Sequence, residues 1–257
     1  MVSNLLTSPA NPLLKEIRRA QQQGALTEQG WMIAEGPHLV EEAWRSNLHI
    51  ARAVIVEGGA LPAGVRVGRV IEVSEKVFQS ISGTSTPQGV MALVEPKLAS
   101  FQSILTGVPL VVVLDAVQDP GNAGAIARAA EAFGATGIVF AKGSVSPFHP
   151  KTIRASAGSL FRLGIVLATV EETTAGLAGR TTILAGVPHA PGVKTAWDSD
   201  LTRPLAIVIG SEGQGVDPRF LKAAERVSIP TRAVESLNAA VAAGVLLYEA
   251  ARQRSGQ

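Results

Sequence analysis

The feature that most constrains the fold is a glycine-rich turn in the last quarter of the chain. An apolar strand is predicted at Leu205–Ile209, and Gly210-Ser-Glu-Gly-Gln-Gly215 follows it directly. Because glycine has no Cβ, three glycines within six residues allow the backbone to turn sharply and to approach a ligand closely. The spacing differs from the Gly-x-Gly-x-x-Gly of a dinucleotide site, and no lysine of the P-loop type follows it. The turn therefore predicts a site for a small polar ligand.

Three loops that follow predicted strands carry polar side chains of the kind found in active sites. In an open α/β sheet, ligands bind where such loops meet, at the carboxyl ends of the strands. Each residue alone also has an ordinary structural explanation, as a helix cap or a surface charge, but their occurrence at three strand ends favours a shared site. The residues are Asn122, Arg128, Ser211, Glu212, Ser236 and Asn238.

Alternating short strands and helices predict an α/β fold in two parts. Residues 1–97 predict a smaller α/β domain, residues 98–109 a linker, and residues 110–257 a second α/β domain that begins with a fully buried strand. The closing helix, at about Leu237–Arg254, is apolar on nearly every side. Such a helix should be buried all round, so we expect it to lie in a dimer interface or a wrapped core.

The composition excludes several classes of function. The chain has no cysteine, which rules out disulfides, thiol nucleophiles and cysteine-bound zinc. Its four histidines are scattered without metal-ligand spacing, so no metal is expected. There is neither a signal-peptide pattern nor an apolar run long enough to span a membrane, so we expect a cytoplasmic protein. Ser211 lacks the Gly-x-Ser-x-Gly context of a serine hydrolase.

The basic residues are distributed unevenly, although the formal net charge is only +2. The window 142–162 contains basic residues and no acid, and the predicted helix after Asn11-Pro12 carries a basic face. Both regions are candidates for contacts with RNA phosphates, and the alternative for each is an ordinary solvated surface. The residues that we expect to bind RNA are Arg18, Arg19, Lys151 and Arg154.

Three segments together resemble the signature motifs of the SpoU, or TrmH, branch of the SPOUT RNA methyltransferases. They are Asn122-Ala-Gly-Ala-Ile-Ala-Arg128, Gly210-Ser-Glu-Gly-Gln-Gly215, and Ile229-Pro230 with Ser236-Leu-Asn238. The motifs stand in the family's order, and the resemblance covers about residues 111–254. Asn11-Pro12 and Glu35-Gly36 make the amino-terminal part similar to the substrate-binding domain that many members carry. One departure is Thr231, where the family pattern leads us to expect methionine.

The resemblance implies methyl transfer from S-adenosylmethionine to a ribose 2′-hydroxyl of structured RNA, either rRNA, which we expect first, or tRNA, by a homodimer. It also implies a sheet whose carboxyl-terminal part is threaded into a trefoil knot, an exception to the rule that connections do not thread loops. The resemblance assigns Gly210, Ile229, Leu237 and Asn238 to the cofactor, and Asn122, Arg128, Glu212, Ser236 and Asn238 to catalysis and positioning.

The role of the arginine stays open on the sequence, because a guanidinium is protonated at neutral pH and is an awkward base. Arg128 is therefore either a general base or a clamp on the phosphate and the developing alkoxide. Two alternatives from other classes also remain. One is a non-catalytic RNA-binding protein that keeps the fold. The other is a nucleotide-dependent oxidoreductase on a doubly wound sheet, which lacks its expected glycine motif here.

Overall fold

The structure is a computed structural model that describes residues 5–6, 8 and 10–255. The strands are β1 (Met32–Glu35), β2 (Ile50–Val56), β3 (Val70–Val73), β4 (Val90–Val94), β5 (Leu110–Asp115), β6 (Gly137–Ala141), β7 (Ile165–Ala168), β8 (Thr182–Gly186), β9 (Lys194–Thr195), β10 (Leu205–Gly210) and β11 (Glu225–Ser228). The α-helices are α1 (Pro12–Gln23), α2 (Pro37–Arg45), α3 (Glu75–Ile81), α4 (Phe101–Ile104), α5 (Pro120–Ala132), α6 (Pro150–Ser156), α7 (Val170–Leu177), α8 (Pro218–Ala223) and α9 (Ala239–Arg254). None of these helices is both long and apolar enough to cross a membrane.

The chain divides into two compact units. The first comprises residues 1–97 with 146–161, and the second comprises residues 98–145 with 162–257. The sequence places 146–161 with the second domain, whereas this segment packs in the first unit, where Phe148, Ile153 and Phe161 join the apolar core. Independent domains joined by a linker at 98–109 stay a prediction.

The first unit is built on a four-stranded sheet in the order β1-β4-β2-β3. Strand β4 is antiparallel to both neighbours, and β2 and β3 are parallel. Helix α1 begins as the sequence predicts, because the Asn11 side chain accepts a hydrogen bond from the Leu13 amide at 3.0 Å and Pro12 occupies the first turn. Its buried residues Leu14 and Ile17 pack into the core below the sheet.

The second unit is a seven-stranded sheet in the order β7-β6-β5-β10-β8-β11-β9, and every pair of neighbours in it is parallel. The expected α/β sheet is therefore confirmed for this unit. All six residues of β5 are buried, as its apolar run predicts for a strand covered on both faces. Because β5 and β10 are adjacent and parallel, the loops after Asp115 and Gly210 leave the same edge of the sheet side by side.

The last helix is buried on one face only within the single chain. Ala243, Leu246 and Leu247 of α9 are buried, and the helix packs against α5 and β10. Val241, Val245 and Tyr248 remain 53%, 38% and 55% exposed. These three residues recur at intervals of four and three, so they form an apolar stripe along the helix. We expected α9 to be buried on every side, but in a single chain one apolar face of this helix stays exposed.

Candidate active site

Two asparagines and one carboxylate from three separate loops are bonded to one another. Asn122 Nδ2 donates to Glu212 Oε1 at 3.0 Å, and Asn238 Nδ2 donates to the same oxygen at 2.7 Å. Asn238 Nδ2 also donates to Asn122 Oδ1 at 3.0 Å. Of the six polar residues that the sequence assigned to a shared site, these three are in direct contact. We call them the polar triangle.

Local structure fixes the two asparagines. Asp119 caps α5 and accepts a hydrogen bond from the Asn122 amide at 2.7 Å, so Asn122 lies in the first turn of that helix. Asn238 caps α9, and its Oδ1 accepts from the Ala240 amide at 2.9 Å. Each asparagine therefore lies at the start of a helix, and its side-chain nitrogen Nδ2 remains available to bind Glu212. Asn238 is therefore both a helix cap and a site residue, whereas the cap of α5 is Asp119 and not Asn122, as the sequence had offered.

The glycine-rich turn closes so tightly that one position admits no side chain. A Cβ on Gly210 would lie 2.2 Å from the carbonyl carbon of Gly215 and 2.5 Å from the amide nitrogen of Val216. The Gly215 amide donates to the Ser211 carbonyl oxygen at 2.9 Å, and Gly215 has a φ of 69°, which favours glycine. The observed close contact is between Gly210 and the backbone of Gly215 and Val216, and the close approach to a ligand stays a prediction.

A buried aspartate anchors the far end of this turn. Asp115, at the end of β5, is 3% exposed, and its Oδ2 accepts a hydrogen bond from the Asp217 amide at 2.6 Å. Burial raises the pKa of Asp115, while that hydrogen bond acts in the opposite direction. At the helix start, hydrogen bonds from Arg219 lower the pKa of Asp217 to about 2. Sequence reasoning missed Asp115, whose only signal is a charged residue that ends an apolar strand.

Two cavities lie on either side of the residues 211–214. The larger has a volume of about 550 Å³, and the smaller has a volume of about 300 Å³. The smaller cavity is lined by residues 116–119 and by Asn122. Ser211, Glu212, Gly213, Gln214 and Ala239 line both cavities. Glu212 thus stands in the wall that the two cavities share.

The larger cavity collects three of the four residues that the resemblance assigned to the cofactor, whereas Asn238, the fourth, lines neither cavity. Gly210, Ile229 and Leu237 line it, and so does Ser236, which lies there instead of in the polar triangle. Its wall is mostly apolar side chains and glycine backbone, which suits a ligand with an apolar body and a few polar groups. His189 also lines this cavity, although the sequence gave no reason to single it out. Thr231, the departure from the family pattern, lines it too, and its hydroxyl donates to the Val234 carbonyl at 2.5 Å.

Arg128 lies apart from the polar triangle. It is exposed on α5 and lines neither of the two cavities. Within the described chain it makes no hydrogen bond and no ion pair. Its side chain is therefore available to a group that comes from outside the chain.

Three of the four basic residues predicted to bind RNA, namely Arg18, Arg19 and Arg154, make side-chain contacts within the first unit. Arg18 donates to the carbonyl and hydroxyl oxygens of Ser80, both at 3.0 Å, and Arg19 pairs with Glu28 at 3.1 Å. Lys151 is exposed and forms no ion pair among the residues that the structure describes. None of this tests RNA binding, which stays a prediction for all four residues.

The contacts of Arg154 belong to a buried polar network. Its Nη1 lies 3.9 Å from the buried carboxylate of Glu35, and its Nη2 donates to the Gly83 carbonyl at 3.3 Å. Glu35 also accepts from the Gly83 amide and from Gln21 Nε2, both at 2.9 Å. Because a buried carboxylate needs such partners, Arg154 stabilises the first unit by compensating the charge of Glu35. Over the described ranges, no three histidine or acidic side chains are grouped to hold a metal ion.

Comparison with known proteins identifies both parts of the chain. Residues 109–248 match the sequence model of the SpoU rRNA Methylase family, and residues 11–92 match that of the MRM3-like substrate binding domain. An uncharacterised tRNA/rRNA methyltransferase of Synechocystis is 35% identical, over 97% of this chain and 94% of its own. The 23S rRNA (guanosine(2553)-2′-O)-methyltransferase RlmP of Bacillus subtilis is 29% identical, over 95% of this chain and 97% of its own.

Solved structures agree with these matches. The AdoMet-bound rRNA methyltransferase of Sinorhizobium meliloti superposes with a TM-score of 0.84 at 30% identity, and the match covers 97% of this chain and 98% of that one. The SpoU methyltransferase AviRb of Streptomyces viridochromogenes, in complex with AdoMet, superposes with a TM-score of 0.80 at 25% identity, over 96% of this chain and 100% of that one.

Proposed function

Because the chain belongs to the SpoU rRNA Methylase family, we propose that it transfers a methyl group from S-adenosylmethionine to a ribose 2′-hydroxyl of rRNA. The single observation that carries the proposal is Glu212, which is held by the two asparagines of the polar triangle and lines both cavities. A transfer reaction needs a donor site and an acceptor site that open onto the same groups. The relatives named as 23S rRNA 2′-O-methyltransferases support rRNA as the substrate.

The larger cavity fits the cofactor. Its apolar side chains, such as Ile229 and Leu237, suit the adenine ring, and the tight turn at Gly210 offers backbone groups for the polar parts. S-adenosylmethionine supplies a methyl group on a positively charged sulfur, which needs no covalent intermediate with the protein. The tasks left to this chain are to hold the donor and the hydroxyl in line and to help the hydroxyl lose its proton.

We assign the positioning of the hydroxyl to Glu212. Its Oε1 accepts from both asparagines of the polar triangle, which fixes the carboxylate, and Oε2 accepts no hydrogen bond in the described chain. A carboxylate oxygen of this kind can accept a hydrogen bond from the ribose hydroxyl. Ser236 contributes a hydroxyl in the larger cavity, and Asn238, which follows the cavity residue Leu237, holds Glu212 in place.

Arg128 acts on the RNA side of the reaction in this proposal. It lines neither cavity and has no acidic partner among the described residues, so an RNA phosphate can reach its guanidinium. A guanidinium binds phosphate oxygens with two parallel hydrogen bonds and also stabilises a developing negative charge. This arrangement supports the clamp over the general base, because the group carries no acceptor.

We further propose that the protein is a cytoplasmic homodimer and that the second unit is knotted. The apolar stripe of Val241, Val245 and Tyr248 supports the dimer, because water covers it in a single chain. The strand order supports the knot. Strand β10 is inserted between β5 and β8, although both of these strands precede it in the chain. Residues 1–97 would form the RNA-binding domain, with Arg18 and Arg19 as RNA contacts, and the segment 146–161 that packs in the same unit would add Lys151 and Arg154.

The experiment that tests the proposal is the mapping of ribose methylation in a strain without this gene. One ribose methylation in rRNA should disappear, and it should return when the wild-type chain is supplied. Loss of a tRNA methylation alone would move the substrate to tRNA. An unchanged pattern in both RNAs would favour a non-catalytic RNA-binding protein.

A further inference from the structure

We propose that His189 is a cofactor-binding residue that acts as a hydrogen-bond acceptor through Nε2. The inference rests on the proposed function, because it concerns the same cavity. It adds a residue that lies outside the three sequence motifs, and it specifies the tautomer of that residue's ring.

His189 stands at the side of the larger cavity that is remote from Asn122. It follows β8, which pairs with β10 on the side opposite to β5. Neighbouring strands lie about 4.8 Å apart, so the ends of β5 and β8 are separated by about 10 Å. The methyl group has to face Glu212, which follows β10 and is bonded to Asn122 on the β5 side of the site. A group at the end of β8 therefore meets another part of the cofactor.

A buried serine fixes the ring of His189. His189 Nδ1 lies 3.0 Å from the hydroxyl oxygen of Ser228, a residue of β11 that is 1% exposed. That hydroxyl also lies 3.2 Å from the carbonyl oxygen of Lys194. A carbonyl oxygen can only accept, and a hydroxyl has one hydrogen to give. The Ser228 hydroxyl therefore donates to Lys194, and it accepts from His189.

The consequence is a defined tautomer. If Nδ1 donates to Ser228, Nδ1 carries the proton of the neutral ring, and Nε2 is left with a lone pair. The other polar side chains that line the larger cavity include the carboxylates of Glu212 and Glu235, which also accept. The acceptor at Nε2 calls for an N–H or O–H donor on the ligand. S-adenosylmethionine has such donors on its ribose, its adenine and its methionine amino group.

The binding of S-adenosylhomocysteine, measured by calorimetry, tests this inference without turnover. We expect His189→Ala to bind it about three- to tenfold more weakly, the usual effect of one neutral hydrogen bond. His189→Gln keeps an acceptor and should recover part of the affinity. Ser228→Ala keeps the imidazole and removes its anchor, so it should give a smaller loss. His38→Ala, an exposed histidine of α2 in the first unit, is the matched control and should bind like the wild type.

Two further measurements locate the contact. With 5′-methylthioadenosine, which lacks the amino-acid part, an unchanged effect of His189→Ala places the donor on the nucleoside, and a lost effect places it on the methionine amino group. Nitrogen-15 chemical shifts of His189 should show Nδ1 protonated in the complex. Equal affinity of His189→Ala and wild type, or a proton on Nε2, overturns the inference. A wild-type chain that does not bind S-adenosylhomocysteine overturns the proposed function itself.

Discussion

Replacing Gly210 by alanine tests whether the tight turn builds the cofactor cavity. The added Cβ would lie 2.2 Å from the carbonyl carbon of Gly215, which is 1.2 Å short of the 3.4 Å where ordinary contact begins. The three nearest atoms all belong to the backbone of Gly215 and Val216, so no side chain can swing away to make room. The turn itself has to move by about 1 Å.

The size of the effect follows from that displacement. We expect the turn to lose at least two backbone hydrogen bonds to the cofactor, and at about 1 kcal/mol each this weakens binding about 30-fold. Overpacking at a site without free space should also lower the free energy of unfolding by about 1–3 kcal/mol. Binding of S-adenosylhomocysteine by calorimetry and unfolding by denaturant measure the two effects separately.

Gly213 provides a matched control in the same turn. A Cβ on Gly213 meets no atom within 4 Å, and its φ is not positive. Gly213→Ala should therefore keep its fold, and it should bind the cofactor within a few-fold of the wild type. If Gly210→Ala binds as tightly as Gly213→Ala, the turn does not shape the cofactor cavity, and the assignment of the larger cavity is wrong.

Four other substitutions give separate predictions. Arg128→Ala should keep S-adenosylhomocysteine affinity within a few-fold while methyl transfer falls about 100-fold or more, and a loss of cofactor affinity with intact RNA binding would refute its role on the RNA side. Val245→Asp should give monomers in light scattering, because a charge interrupts the apolar stripe, and a fully active monomer would refute the dimer. Lys151→Ala should reduce the salt dependence of RNA binding by about one counterion without a change in stability. Arg154→Ala should mainly destabilise the fold, because it deprives Glu35 of its cationic partner.

Residues at which strands, turns and helices begin or end could be predicted from the sequence. The run Leu110–Leu114 indicated a buried strand because it is apolar at every position, and the glycines after Ile209 indicated a tight turn. Asn122 and Asn238 stand where helices begin, so their positions at the strand ends could be inferred without coordinates. The sequence thus predicted which three loops meet, but it did not separate the three residues of the polar triangle from Arg128, Ser211 and Ser236.

Contacts between distant parts of the chain could not be predicted in this way. The hydrogen bond between Asp115 and the Asp217 amide joins residues 102 positions apart, and no local sequence pattern predicts it. His189 became relevant only when strand order placed it beside Ser228. Likewise, the basic window gave no sign that Arg154 faces the buried Glu35, because the pairing depends on where 146–161 packs.

The most direct test of the central claim is mass spectrometry of RNA after reaction with the purified protein. The protein is incubated with S-adenosylmethionine that carries a labelled methyl group and with rRNA that lacks its own methylation. We predict a single labelled nucleoside with the methyl group on the ribose 2′-oxygen, detected as a dinucleotide that resists alkaline cleavage. Glu212→Gln, which keeps the shape of the side chain and removes its charge, should lower the yield strongly. A label on a base, or no label in any RNA, would contradict the account.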